Sequence, residues 1–311
     1  MEVVKAKREQ IKVPIMLTGA SGSGKTVSAL LIAKGIVEKM FPELEEDKQW
    51  EKVGVIDTEH KRSLLYADTT IAGNDIGEFL VIDLEPPFTV QHYKEAVDSL
   101  KKAGCEIVVI DSITHEWSGE GGVLEQVQQL QKGNPRMQMM AWNKVKPLEK
   151  EFARLTTMNS VYTICTCRSK QAYDMDKIDG KTKVTKLGLK PDQKDNLEYE
   201  FAISLMMNED HTATATKDNS NMFDQPFEVT KETGKKIYEW SAEGINIQKE
   251  KEKLIKEVLD LSNQSEKHKK MFDKMNEKIN ISLEDAPIRW IKRMKEVLSE
   301  IEPELEEASK G

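Results

Sequence analysis

Gly19-Ala20-Ser21-Gly22-Ser23-Gly24-Lys25-Thr26 constrains this chain more than any other stretch. It fits the pattern G-x-x-x-x-G-K-[ST]. An apolar run, Val13 to Leu17, precedes it, and Val27-Ser28-Ala29-Leu30-Leu31-Ile32-Ala33 follows with helical character. Strand, glycine-rich turn and helix are the context that such a loop needs. Its glycines let backbone N–H groups converge on one concavity that suits phosphate oxygens. The positive end of the next helix adds to that field. Lys25 then reaches the β- and γ-phosphates of a nucleotide, and the Thr26 hydroxyl serves Mg²⁺. The sequence therefore predicts a site for ATP and Mg²⁺ over Gly19–Val27.

With 311 residues the chain has room for one substantial domain and an appendage, or for two modest domains. Its net charge of −8 excludes general basicity, so any nucleic-acid contact must come from local lysine patches. No apolar run approaches the ~20 residues that span a bilayer, and Met1 to Arg8 is charged, without a signal-like apolar region. A cytoplasmic protein without membrane contact is expected. Cys105, Cys165 and Cys167 are too few and odd in number for a disulfide framework, and Cys165-x-Cys167 lacks zinc partners. They read as small buried strand residues.

Short apolar runs alternate with helical ones. Val53–Asp57, Phe79–Asp83, Ile107–Asp111 and Val161–Cys165 read as strands buried on both faces, with helices over Thr89–Ala103 and Trp142–Met158 between them. This predicts an α/β fold with a doubly wound, mostly parallel sheet. Asp179-Gly180 is a hairpin signal within the charged segment Ser169–Asn196. Strands at Tyr199–Met207, His211–Lys217 and around Phe227 suggest an antiparallel extension. From about Ile245 the sequence turns Lys/Glu-rich with helical spacing, as at Leu254, Val258 and Leu261. Ile288, Ile291, Met294 and Leu298 then mark one face of a last helix. We expect a core over residues 1–245, a small helical domain over 246–311, and fraying of the acidic end Glu302–Glu307.

A phosphate-binding loop of this kind works with an acid at a buried strand end, which Asp111 supplies for Mg²⁺. Glu59, after the second strand, is the candidate to activate the attacking water. Val55-Ile56-Asp57-Thr58-Glu59-His60 resembles the RecA-type segment Phe-Ile-Asp-Ala-Glu-His, and Ile110-Asp111-Ser112 resembles its Val-Asp-Ser. The resemblance implies that Glu59 activates water and that Tyr66 stacks on adenine. Thr214–Asp218 with Pro226-Phe227 is similar to the RecA strand whose lysines reach a neighbouring protomer's ATP, which implies that role for Lys217. Asp218-Asn219 stands where RecA has its second base. Cys167-Arg168 stands where RecA has Asn-Gln, so Arg168 takes the position that senses the γ-phosphate.

Asp111–Trp117, Cys167–Gln171 and Lys186–Pro191 also resemble the short RecA-like proteins of bacteriophages, the Sak-type single-strand annealing ATPases. That resemblance implies a RecA-like core and a homo-oligomer, ring or filament, on single-stranded DNA in the host cytoplasm. It also raises a phage or host single-strand-binding protein as a partner. By position, Trp117–Arg136 and Ser169–Lys190 correspond to the DNA loops. Glycines at 119, 121, 122 and 133 suggest mobility in the first. Lys170, Tyr173, Lys177, Lys181, Lys183 and Lys186 make the second the better DNA site, with lysines tracking phosphates and Tyr173 stacking on a base. Met137, Met139 and Met140 read as core or interface. Two other readings stay open: a hexameric helicase-type motor, and an ATP-gated assembly or signalling ATPase that uses no DNA.

Overall fold

The computed structural model describes residues 5–178, 181–279 and 281–301, with backbone alone for 172–178 and 181–187. Two compact units divide the chain. One runs Ile11–Ser241; the other joins the residues up to Gln10 to those from Ala242 on. The boundary expected at 245 thus falls at 241, and the N-terminal segment leaves the core. The reason is backbone pairing: Gln10 N–H donates to the carbonyl of Ile245 (3.0 Å), and Ile245 N–H donates to that of Arg8 (2.9 Å). In that unit the helices Ile247–Ser262, Glu266–Ile279 and Ile288–Ser299 bury Leu254, Val258, Met275, Ile291, Met294 and Leu298 together. Lys292–Glu250 (2.8 Å) and Lys295–Glu257 (2.7 Å) join the first and last of these helices. The end Glu302–Glu307 lies outside the described residues. Among the described residues no helix is long and apolar enough to cross a membrane.

The larger unit is an α/β fold around one sheet. Its strands are β1 (Ile15–Gly19), β2 (Val53–Asp57), a small hairpin β3 (Thr69–Ile71) and β4 (Asn74–Ile76), β5 (Leu80–Asp83), β6 (Ile107–Asp111), β7 (Tyr162–Ile178), β8 (Lys181–Pro191), β9 (Ile203–Met207), β10 (Thr212–Asp218) and β11 (Phe227–Glu228). The order is β11-β10-β9-β1-β7-β6-β2-β5, with β8 paired to β7 and the β3–β4 hairpin separate. From β9 to β5 all neighbours are parallel; β10 and β11 are the antiparallel extension. Continuous apolar strands allow this, because both faces are covered. Leu17, Val55, Val109 and Ile164 pack into one apolar layer; Met16, Ile56, Ile110 and Cys165 pack into the other. All three cysteines are buried and free.

The helix that follows the glycine loop, Lys25–Met40, packs directly on the helix Lys231–Ser241. A Cβ added to Gly35 would lie 1.9 Å from the carbonyl oxygen of Lys231, and one on Gly234 would lie 2.1 Å from that of Ile32. Two missing side chains therefore let the backbones meet.

Trp117–Arg136 departs from expectation. It holds the helix Val123–Gln131, and a Cβ on Gly119 or Gly121 would lie 2.6 Å from the His115 carbonyl oxygen or 2.4 Å from Pro87 Cβ. These glycines serve close packing rather than looseness. Met139 and Met140 are 76% and 54% exposed, so they are not core. β7 and β8 form the expected ribbon, longer than the hairpin signal alone suggested; the turn Asp179-Gly180 lies outside the described residues.

Candidate active site

Strand register brings the expected chemistry to one edge. Gly19, the last residue of β1, is level with Arg168 on β7 and with Met207 on β9. Asp111 on β6 is level with Asp57 on β2. The ends of parallel strands thus meet at one carboxyl edge, where open α/β sheets bind ligands. A cleft of about 400 Å³ opens there. Ser21, Gly22, Gly24, Lys25, Thr26 and Val27 line it, as do Glu59, Tyr66, Asp111 and Arg168. Residues as far apart in sequence as Ser21 and Arg168 are gathered in this way.

The loop is tightly built. A Cβ on Gly19 would lie 2.6 Å from Ser23 Oγ and 2.7 Å from the Met207 carbonyl oxygen, so no larger residue fits. Gly24, at φ +86°, turns the chain into the helix, whose first bond runs from Ser28 N–H to the Gly24 carbonyl (2.9 Å). Lys25 Nζ donates to the carbonyls of Gly19 (3.0 Å) and Ala20 (2.7 Å). Burial pulls the Lys25 amine below its usual range, while the Asp111 and Glu59 carboxylates pull it back up.

The Thr26 hydroxyl donates to Asp111 Oδ2 (2.6 Å), and the Thr166 hydroxyl donates to Asp111 Oδ1 (2.5 Å). Burial raises the Asp111 carboxyl, and those two hydroxyls oppose the rise. Thr26 and Asp111 are hard oxygen donors side by side, the type that Mg²⁺ takes. Ser23 Oγ is buried without a hydrogen-bond partner. An orphaned hydroxyl inside a ring of backbone amides fits a phosphate oxygen. The residues present thus suit a magnesium-bound nucleotide. Ser23→Ala should leave thermal stability nearly unchanged and weaken ATP binding about fivefold, the worth of roughly one hydrogen bond. Calorimetric titration checks this, and equal affinity would remove Ser23 from the cradle.

Glu59 is buried, and Arg168 grips it. Arg168 Nε donates to Oε1 (2.8 Å) and Nη2 donates to Oε2. The Ser112 hydroxyl adds a bond to Oε1 (3.1 Å), and Arg62 stands 3.9 Å from Oε2. Burial pushes the Glu59 carboxyl up, but the Arg168 bonds and charge outweigh it, and the net shift is downward. Asp57 holds the strand end behind Glu59: it accepts the N–H of Glu59 (2.7 Å) and of Ser63 (2.8 Å). Thr58 ties this strand end to the next. Its hydroxyl accepts Ser112 N–H (2.8 Å) and meets His115 Nδ1 (2.7 Å). Burial lowers the His115 ring, and the Glu59 carboxylate opposes that.

Not every expected residue joins the cleft. Lys217 is level with Ser204, whereas Gly19 is level with Met207, three residues further along β9. At about 3.3 Å per residue this sets Lys217 ~10 Å away along the strand. Its ammonium donates to the Tyr199 carbonyl instead. Lys217 therefore has no role in its own cleft. Lys170 pairs with Asp192 (2.5 Å) at the base of the ribbon. Tyr173, Lys177, Lys181, Lys183 and Lys186 sit in the β7–β8 ladder, Tyr173 opposite Lys186, and their side chains lie outside the described residues.

Three residues that matter here escaped the sequence reading. Thr166 holds Asp111, His211 lines the cleft beside Gly24, and Arg62 backs Glu59. Thr166 and His211 are placed by strand order, which no local signal carries. Arg62 was within reach, because a base three residues after a buried acid on a turn is a candidate partner. Glu116 also couples distant segments. Burial pushes its carboxyl up to about 8, and the Gln193 amide, where the ribbon returns, donates to it (3.3 Å).

A family model described as AAA domain matches residues 11–271. Among solved structures the chain is similar to a KaiC-like protein from the hyperthermophilic archaeon Pyrococcus horikoshii OT3. The two are 16% identical over 71% of this chain and 87% of that one, with a TM-score of 0.37. Comparison with curated proteins found no match.

Proposed function

The chain belongs to the AAA domain family, and on that premise we propose that it is a phage-type ATPase that assembles on single-stranded DNA to drive recombination or annealing. The observation that carries this reading is the grip of Arg168 on Glu59, at the point where β7 leaves the sheet and becomes the lysine-bearing ribbon.

In this reading ATP lies in the cleft, its phosphates on Gly19–Thr26. Thr26 and Asp111 would hold Mg²⁺, which neutralises phosphate charge when bound. Glu59 takes a proton from water as the water oxygen bonds to the γ-phosphorus, and the bond from that phosphorus to the bridging oxygen breaks to release ADP. A carboxylate held by two guanidinium nitrogens is a weak base. The Arg168 grip keeps Glu59 ionised until the γ-phosphate, the competing anion, draws the guanidinium away. Tyr66 offers a face for adenine, and Lys217 of a neighbouring protomer stabilises charge in the transition state. Single-stranded DNA on the ribbon would bias the same residue, because Arg168 and Ser169 are consecutive. A phage or host single-strand-binding protein is the natural partner for such an activity.

The test is phosphate release with and without single-stranded DNA, for the wild type and Lys183→Ala/Lys186→Ala. DNA should accelerate hydrolysis in the wild type and not in the variant. The salt slope of DNA binding should also fall by about 1.4, two lost phosphate contacts. Hydrolysis indifferent to DNA, with no binding, would favour an assembly or signalling ATPase; duplex unwinding would favour a helicase-type motor.

A further inference from the structure

Glu116 is a buried acid that no step of the proposed chemistry uses. It stands on the short helix Thr114–Ser118, just after β6. One of its oxygens, Oε1, is buried without a hydrogen-bond partner; the other, Oε2, accepts from Gln193 Nε2 (3.3 Å). Gln193 is itself buried and also donates to the Ile113 carbonyl (2.8 Å). A buried carboxylate with one orphaned oxygen is costly, and a neutral carboxyl in the same place costs far less.

The helix that carries Glu116 touches both legs of the ribbon. Where β7 leaves the sheet, Arg168 N–H donates to the Thr114 hydroxyl (2.9 Å). Where β8 returns, the Ser118 hydroxyl donates to Asp192 Oδ2 (3.2 Å), one residue before Gln193. The legs are also tied to each other, by Asp192 N–H and the Arg168 carbonyl (2.7 Å). On its other side the helix reaches the strand end that carries Glu59. His115 Nδ1 lies 2.7 Å from the Thr58 hydroxyl, and Phe88 stacks on the His115 ring at 4.9 Å. A single helical turn thus has the ribbon on one side and the neighbour of Glu59 on the other.

We propose that Glu116 is a positioning residue: through Gln193 it clips the returning leg of the ribbon to the helix Thr114–Ser118, which passes the ribbon's position to Glu59 by way of His115 and Thr58. The link to hydrolysis rests on the reading that DNA acts on the ribbon; the clip rests on the contacts alone. The clip depends on a proton. Facing Glu116 are Gln193 and Lys194 on the returning leg, Glu149 on the helix Gln138–Thr156 and Tyr93 on the helix Val90–Lys102, and Lys194 pairs with Glu149. Burial above all, with Glu149, holds the Glu116 carboxyl up at about 8, against Gln193 and Lys194. Opening the clip exposes the group to water and returns it to the ordinary carboxylate range. The clipped form therefore holds the proton more tightly. Opening becomes easier as pH rises from the ordinary range toward the raised value, by up to about tenfold per pH unit, and no easier above it.

Amide hydrogen exchange tests the clip, read by mass spectrometry in peptides that hold Arg168 and Asp192, without nucleotide or DNA. After correction for intrinsic rates, wild-type protection there should fall several-fold per pH unit between about pH 5.5 and 7.5. Glu116→Gln keeps an acceptor for Gln193 and cannot ionise, so its protection should stay level. His115 is present in both proteins, and their difference reads Glu116 alone. Level protection in the wild type, or an equal fall in the variant, would overturn the clip. Phosphate release tests the link. Gln193→Ala should keep basal hydrolysis and DNA affinity within about twofold and lose most of the acceleration by single-stranded DNA; Glu116→Gln should keep that acceleration. Undiminished acceleration in Gln193→Ala would overturn the link. A wild type indifferent to DNA would sink the recombinase reading and the link with it, and the exchange result would still decide the clip.

Discussion

Glu59→Gln should slow ATP hydrolysis about 10²–10⁴-fold, the usual worth of a positioned general base, while ATP affinity stays within about twofold. The amide keeps the size of the carboxyl and one acceptor for Arg168 and Ser112, so the cleft retains its shape. Only the capacity to take a proton is lost. Phosphate release at saturating ATP reads the first quantity, and calorimetric titration reads the second. A variant that still turns over at the wild-type rate would move the base elsewhere and leave Glu59 as the anchor of Arg168 alone.

Arg168→Ala should displace the pH dependence of hydrolysis upward. In the wild type the guanidinium holds the Glu59 carboxyl below its usual range against the opposing effect of burial. Without it burial prevails, and the base form appears only at higher pH. Below the raised pKa the rate falls about tenfold per pH unit, so the variant should lose more activity on the acid side of its profile than on the alkaline side. Stability follows the same sign. In the wild type the folded pKa of Glu59 lies below its unfolded value. Its contribution is fully present above the ordinary carboxylate range and is lost as pH falls through the folded pKa. In the variant that contribution disappears. A pH–rate profile with an unshifted acid limb would show that Arg168 does not control Glu59. Loss of DNA stimulation in the same variant, with DNA binding intact, would place Arg168 between the two sites.

The readable parts of the sequence are those whose chemistry is contiguous. The glycine loop, Asp111 and Glu59 each follow an apolar strand at once, and short-range spacing suffices to place them. The apolar strands gave the α/β class because doubly covered strands look alike wherever they sit. What stayed hidden depends on which strand lies beside which. Thr166 meets Asp111 only because β7 runs next to β6, and His211 reaches Gly24 only because β9 runs next to β1. The pairing of Gln10 with Ile245 spans the whole larger unit and leaves no local trace. Glycines 119 and 121 misled for a different reason. Glycine permits looseness and close approach equally, and only the neighbours, His115 and Pro87 here, decide between them. Met139 and Met140 make the same point for apolar residues: of core and interface, their exposure excludes only the core.

β7 runs as one strand from Tyr162 to Ile178. At about 3.3 Å per residue such a strand measures ~55 Å. Its first part is clamped between β1 and β6, and from Ser169 onward β8 is its partner. Mechanically this is a beam fixed at one end, with Arg168 at the support. A sideways load anywhere on the free length arrives at the support as torque, and the longer the arm, the smaller the force that suffices. A weak pull on the ribbon could then turn a guanidinium that is held locally by two strong bonds.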